Sequence, residues 1–119
     1  MSPLPDKLDL ALVKRLRDVV AGRPATESEL RLLADQAGGW ARVTEAQLRS
    51  AEHRLAKLNA DPTSELGEMA TEIRRTETLS AELDEARSLL AGLEQRTREL
   101  RTAWLKYHAD SAPRFDPAS

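Results

Sequence analysis

The chain has 119 residues, with 18 Lys and Arg against 20 Asp and Glu, 40% hydrophobic and only 3% aromatic residues. That length suits one small domain. The absence of cysteine removes disulfides, thiolate metal sites and cysteine nucleophiles together. No apolar run approaches the ~18 residues a membrane span needs. Residues 1–9 carry Pro3, Pro5 and acids but no apolar stretch of the kind a secretory signal uses. The class these features leave is a soluble, cytoplasmic, all-α protein. The Ala, Arg and Leu richness suggests a bacterial source of high genomic GC content.

The first predicted helix covers residues 6–21. Leu8, Leu12, Val13, Leu16, Val19 and Val20 recur at three- and four-residue steps and define one buried stripe. Asp6 can cap its start. Gly22 stands where a left-handed residue ends a helix, and Pro24 prevents continuation.

The second helix, residues 27–59, opens with Thr26 and Glu29 at capping-box spacing. Its stripe reads Leu30, Leu33, Ala37, Trp40, Thr44, Leu48, Ala51, Leu55 and Leu58, so one face stays apolar throughout. Gly38-Gly39 interrupts good helix formers, and each glycine costs about 1 kcal/mol relative to alanine. The apolar phase is the same on both sides of the pair, which favours a continuous helix with a weak point.

Asn59 to Pro62 form the next break. Asp61 can act as an N-cap with Pro62 at the first helical position, giving a third helix over residues 62–109. Its stripe is Leu66, Met69, Ile73, Thr76, Leu79, Leu83, Ala86, Leu90, Leu93, Thr97, Leu100, Trp104 and Tyr107. From Leu79 onward the alternation of four and three is the heptad pattern of a coiled coil. Gly67 and Gly92 fall off this seam and lower helix propensity. Residues 111–119, with Pro113 and Pro117, read as a disordered tail.

A short connection makes the second and third helices antiparallel neighbours. The expected architecture is a long antiparallel, coiled-coil-like hairpin, with the first helix packed at its open end. The second helix should run out near Gln95, leaving a third-helix overhang of about a dozen residues, roughly 20 Å. Trp104 and Tyr107 lie on it, and the first helix is about the right size to cover them. The alternative is a three-helix bundle with the first helix folded back along the second. A thin two-helix seam stabilises little, so self-association is expected, with Leu32, Leu89 and Leu105 as off-seam leucines able to supply a second face.

Charge is segregated along the chain. Residues 1–25 sum to +2, residues 26–60 balance, residues 61–95 sum to -6 and residues 96–119 to +2. The hairpin tip is therefore acidic. Lys14, Arg15, Arg17, Arg23, Arg96, Arg98, Arg101 and Lys106 would converge on the open end if the first helix capped it.

Catalytic constellations are nearly absent. A helical di-metal site needs Glu-x-x-His, but Ser50 precedes His53 and Leu105 precedes His108 at that spacing. Gly38-Gly39 lacks the rest of a phosphate-binding loop. Ala34 and Gly38 have helix-turn-helix spacing, but the expected apolar positions then fall on Gly39, Thr44 and Gln47, and only Arg42 and Arg49 are basic between Trp40 and Ser50. Small secreted Trp-x-Gly hairpins are no match: Trp40 precedes Ala41-Arg42 within a helix, and Ser111 follows Tyr107 where an acid is required.

The reading is a non-enzymatic protein-interaction module, an adaptor, small regulator or chaperone-like subunit. No cofactor, metal, membrane or small-molecule substrate is implied. The expected partner is another protein with a helical or acidic surface, or a second copy in a homodimer. The expected partner-binding residues are Trp104, Tyr107 and Leu100 as apolar anchors, with Arg98, Arg101 and Lys106 setting orientation. The alternative is a dimeric nucleic-acid-binding regulator using the basic open end.

Overall fold

The computed structural model describes residues 10–111, with side chains to residue 109. Its elements are α1 (Leu10–Val20), α2 (Glu27–Ala60) and α3 (Leu66–Ser111). The fold is the expected all-α hairpin with a short N-terminal helix. The cap proposed for Asp6 and nearly all of the proposed tail lie outside the described residues.

The α2 helix is continuous through Gly38-Gly39. The Arg42 guanidinium folds back over the pair, 3.4 Å from where a Cβ on Gly38 would stand. With no turn at this point, the helix-turn-helix arrangement does not form. Every position of the predicted α2 stripe is buried or half-buried. Trp40 packs against the core while its indole N–H is buried without an acceptor, a penalty of about 1–3 kcal/mol.

Only half of the capping box forms. Thr26 Oγ1 accepts from the Glu29 N–H at 3.0 Å. The Glu29 carboxylate, expected to return to the cap, is instead taken by Arg15, whose Nε lies 2.8 Å from it. That ion pair ties α1 to the first turn of α2.

Asp61 is not the N-cap of α3. Proline disfavours helical backbone in the residue before it. Asp61 is accordingly extended, at φ -100 and ψ 111, and ends α2. Its Oδ1 accepts from the Thr63 N–H at 2.9 Å and the Thr63 hydroxyl at 2.7 Å. The Ser64 N–H then closes a turn on the Asp61 carbonyl at 3.1 Å. The chain becomes helical only at Leu66, four residues later than expected.

That delay shifts the register. Arg54 faces Glu72 at 3.3 Å, Arg87 faces Glu45 at 2.7 Å and Arg101 faces Glu27 at 3.3 Å. Thus α2 ends level with Arg101, not Gln95. The overhang is residues 102–111, roughly 15 Å of unpaired helix.

The first helix does not cover that overhang. It packs in the open-end half of the hairpin, as expected, but stops short of the overhang and contacts chiefly α3. Arg17 meets Glu85 at 2.8 Å, Val20 lies against Gly92, and Arg15 reaches Glu29 in the first turn of α2. The core is Leu16 and Val19 of α1, Leu30, Leu33 and Ala37 of α2, and Leu89 and Leu93 of α3. Leu89, expected as part of an exposed second face, is buried beneath α1.

Gly92 is more than a weak helix former. A Cβ there would lie 2.6 Å from Val20 Cγ1 and 2.9 Å from Cγ2. The missing side chain lets the end of α1 seat on α3. Immediately afterwards Gly22, at φ 115, ends the helix: its N–H bonds the Val19 carbonyl at 3.1 Å, and the Arg23 N–H bonds the Asp18 carbonyl at 3.0 Å. The left-handed residue expected at Gly22 is present, and the two bonds make it a Schellman closure.

Two outcomes follow from this packing. Gly92→Ala should destabilise the chain by about 1 kcal/mol, overpacking against Val20 outweighing the gain in helix propensity. In a Val20→Ala background the same change should stabilise by about 1 kcal/mol, and urea unfolding of the four proteins checks the reversal. Both hydrogen bonds from Thr63 favour the ionised Asp61 and hold its carboxyl below the usual aspartate range. The turn therefore contributes fully above the ordinary aspartate value and loses that contribution as pH falls through the lowered one. Carboxyl NMR titration should find Asp61 depressed in the wild type and restored toward normal in Thr63→Ala.

Candidate functional site

Heptad spacing continues on α3 after α2 has ended, so the seam outlives its partner. Leu100, Trp104 and Tyr107 follow at steps of four and three on the same face. Leu100 still packs against the core and is half-buried. Trp104 is 58% exposed, Leu105 60% and Tyr107 68%.

These side chains border an open groove of about 690 Å³. Its other wall is Ala25, just before the cap of α2, with Glu27 and Leu30 from the helix itself. The ring of His108 lies 4.0 Å from that of Trp104, tilted by 43°, and Tyr107 meets His108 edge-on at 5.5 Å. The three rings form one aromatic cluster on the overhang, favoured by the i, i+4 spacing of Trp104 and His108.

Of the six expected site residues, the groove gathers Leu100, Arg101, Trp104 and Tyr107. Arg101 is held by Glu27 at 3.3 Å, and both line the groove. Arg98 and Lys106 are exposed but do not line it. Arg98 donates to Gln95 Oε1 at 2.9 Å. Sequence reasoning missed His108 as part of the aromatic cluster, and the wall of Ala25, Glu27 and Leu30. The first was readable from its four-residue spacing to Trp104. The second depended on the register, which only the five-residue connection sets.

Of the cations expected at the open end, Arg15 and Arg101 reach it through Glu29 and Glu27 in the first turn of α2. Arg17 lies farther along the hairpin, paired with Glu85. Arg23 is 3.9 Å from Asp18. Their fields are largely neutralised locally. Exposed pairs of this kind contribute only about 0–1 kcal/mol each to stability, so their effect is on surface potential and orientation.

A second groove, also about 690 Å³, lies at the hairpin tip between Arg54, Lys57 and Leu58 of α2 and the start of α3. It is lined mainly by charged side chains, including Asp61, Glu65 and Glu68. Among the described residues, no group of three or more His, Asp or Glu side chains could hold a metal ion. None of the described helices is long and apolar enough to cross a membrane. No family model, curated protein or solved structure matches the chain.

The two tryptophans report separately on this geometry. With Trp40→Phe, the remaining Trp104 emission should be red-shifted and readily quenched by acrylamide. With Trp104→Phe, Trp40 should emit to the blue and resist quenching. Equal accessibility of the two indoles would mean that α1 or another segment covers the overhang.

Proposed function

We propose that the chain is a non-enzymatic interaction module that binds protein through the open end of its hairpin. The observation that carries this reading is the exposure of Trp104, Leu105 and Tyr107 on a helix that has lost its seam partner. Large aromatic side chains held on a rigid helix lose little conformational freedom on binding and are frequent interface anchors. A groove between the overhang and the start of α2 suits an amphipathic helix or hairpin tip, the helix-in-groove mode of recognition. Leu100 forms the floor and Trp104 and Tyr107 the apolar wall, while Arg101, tethered by Glu27, fixes one polar edge.

The nucleic-acid alternative loses support from the pairing of Arg15, Arg17 and Arg101 with carboxylates, since phosphate contacts need cations free to meet them.

Trp104→Ala should weaken capture of a bound protein, or self-association, by about tenfold or more, while far-UV circular dichroism changes little. Sedimentation velocity and pull-down with wild-type and variant chains measure this. Unchanged binding in both Trp104→Ala and Tyr107→Ala would remove the open end as the interface.

A further inference from the structure

The face of α3 that carries Leu100, Trp104 and Tyr107 is the face that α2 covers as far as Arg101. A second helix laid on it continues the line of α2. Running parallel to α3, such a helix could not extend back past Arg101 without striking α2. Running antiparallel, its body leads away from the stem. Trp104 and Tyr107 also straddle the middle of the stretch 102–111 rather than its end. An antiparallel copy of the same stretch therefore sets its Tyr107 against Trp104 and its Trp104 against Tyr107, two equivalent layers about a two-fold axis. In that register each overhang ends about where the α2 of the other copy begins, to within a residue or two.

Charge is compatible with the same occupant. Along the paired region the seam is laced by ion pairs between the helices, Arg54 to Glu72, Arg87 to Glu45 and Arg101 to Glu27. Beyond Arg101 the lacing stops. Among the described side chains of residues 102–109, Lys106 alone is formally charged at pH 7, and it does not line the groove. Such a face has nothing to select an oppositely charged partner and nothing to repel its own image.

From this we infer that the occupant of the open-end groove is the overhang of a second copy of this chain, laid antiparallel across the first in a two-fold dimer. The inference rests on the open end being an interface. Covered aromatic side chains bury about 150–250 Å² each, so the exposed parts of Trp104, Leu105 and Tyr107 offer on the order of 400 Å² per copy. That is below the roughly 800 Å² per partner of a standard interface, so the dimer is a weak one. The contact joins identical patches and saturates at two copies.

Sedimentation velocity of the full chain, from about 10 to 500 µM, should show a monomer–dimer equilibrium that stops at the dimer and persists at high salt. Trp104→Ala and Tyr107→Ala should each weaken it about tenfold or more, with circular dichroism unchanged. The chain has no cysteine, so a spin label on a single introduced one reports one distance between copies. In an antiparallel dimer that distance widens by about 3 Å for each residue moved toward the stem. Pulsed electron paramagnetic resonance should therefore find about 20 Å for Lys106→Cys and about 45 Å for Ala91→Cys. A monomer at every concentration, growth past the dimer, loss of association at high salt, or equal distances at the two positions overturns the inference. If the chain is monomeric while Trp104→Ala still weakens capture of another protein, the open end stands as an interface and the second copy is excluded as its occupant. Dimerisation indifferent to both Trp104→Ala and Tyr107→Ala overturns the inference as well.

Discussion

A helix of 34 residues cannot cover one of 46, and most of what distinguishes this molecule follows from that inequality. The hairpin connection fixes where the two helices begin to pair, and the capping signal at Thr26 fixes where the shorter one stops. Whatever α3 has beyond that level stands without a seam partner. The apolar heptad does not end where the pairing ends. It carries Trp104 and Tyr107 into solvent, where a chain shaped only by its own stability would be expected to place polar residues.

The first helix is a clamp on the hairpin and leaves the overhang bare. Its position is overdetermined by unlike interactions: apolar burial of Leu16 and Val19, close approach at Gly92, and ion pairs from Arg15 to α2 and Arg17 to α3. The Schellman turn at Gly22 then sends the chain back to start α2. Glu29 shows how local and tertiary demands compete. The capping role open to its side chain is given up for a contact with Arg15 that joins two helices. The core is concentrated in this clamped half, while the seam toward the tip relies on Thr44, Ala51, Leu79, Leu83 and Ala86.

Periodicity made the helices, their antiparallel pairing and the α2 stripe legible, because burial on one face of a helix imposes its spacing on the residues themselves. That α1 packs at the open end was legible, but that it stops short of Trp104 and Tyr107 was not. Its stripe states that it must be covered, and the hairpin offers several apolar partners; the deciding feature, a glycine in α3 that admits Val20, has no periodic signature and looked like a defect. The start of α3 was misplaced because Asp61-Pro62 suits either a helix start or a turn. Thr63 decides between them by donating its N–H and its hydroxyl to the Asp61 carboxylate. That local choice moved the register by several residues and so altered which α2 residues line the groove. The apolar anchors Trp104 and Tyr107 were legible as a site because they continue the heptad; Arg98 and Lys106 were placed by charge alone, and charge does not specify the face.

Because the overhang takes no part in the seam, its length is decoupled from the rest of the fold. Adding or deleting a turn in the paired region demands a matching change in the other helix, or the apolar stripes fall out of phase. Beyond Arg101 no such bookkeeping applies: α3 can lengthen, shorten or exchange residues there with little effect on the clamped half. The architecture thus separates a conserved-by-necessity stem from an end that is free to be retuned, which is a simple physical route to diversifying specificity on one scaffold.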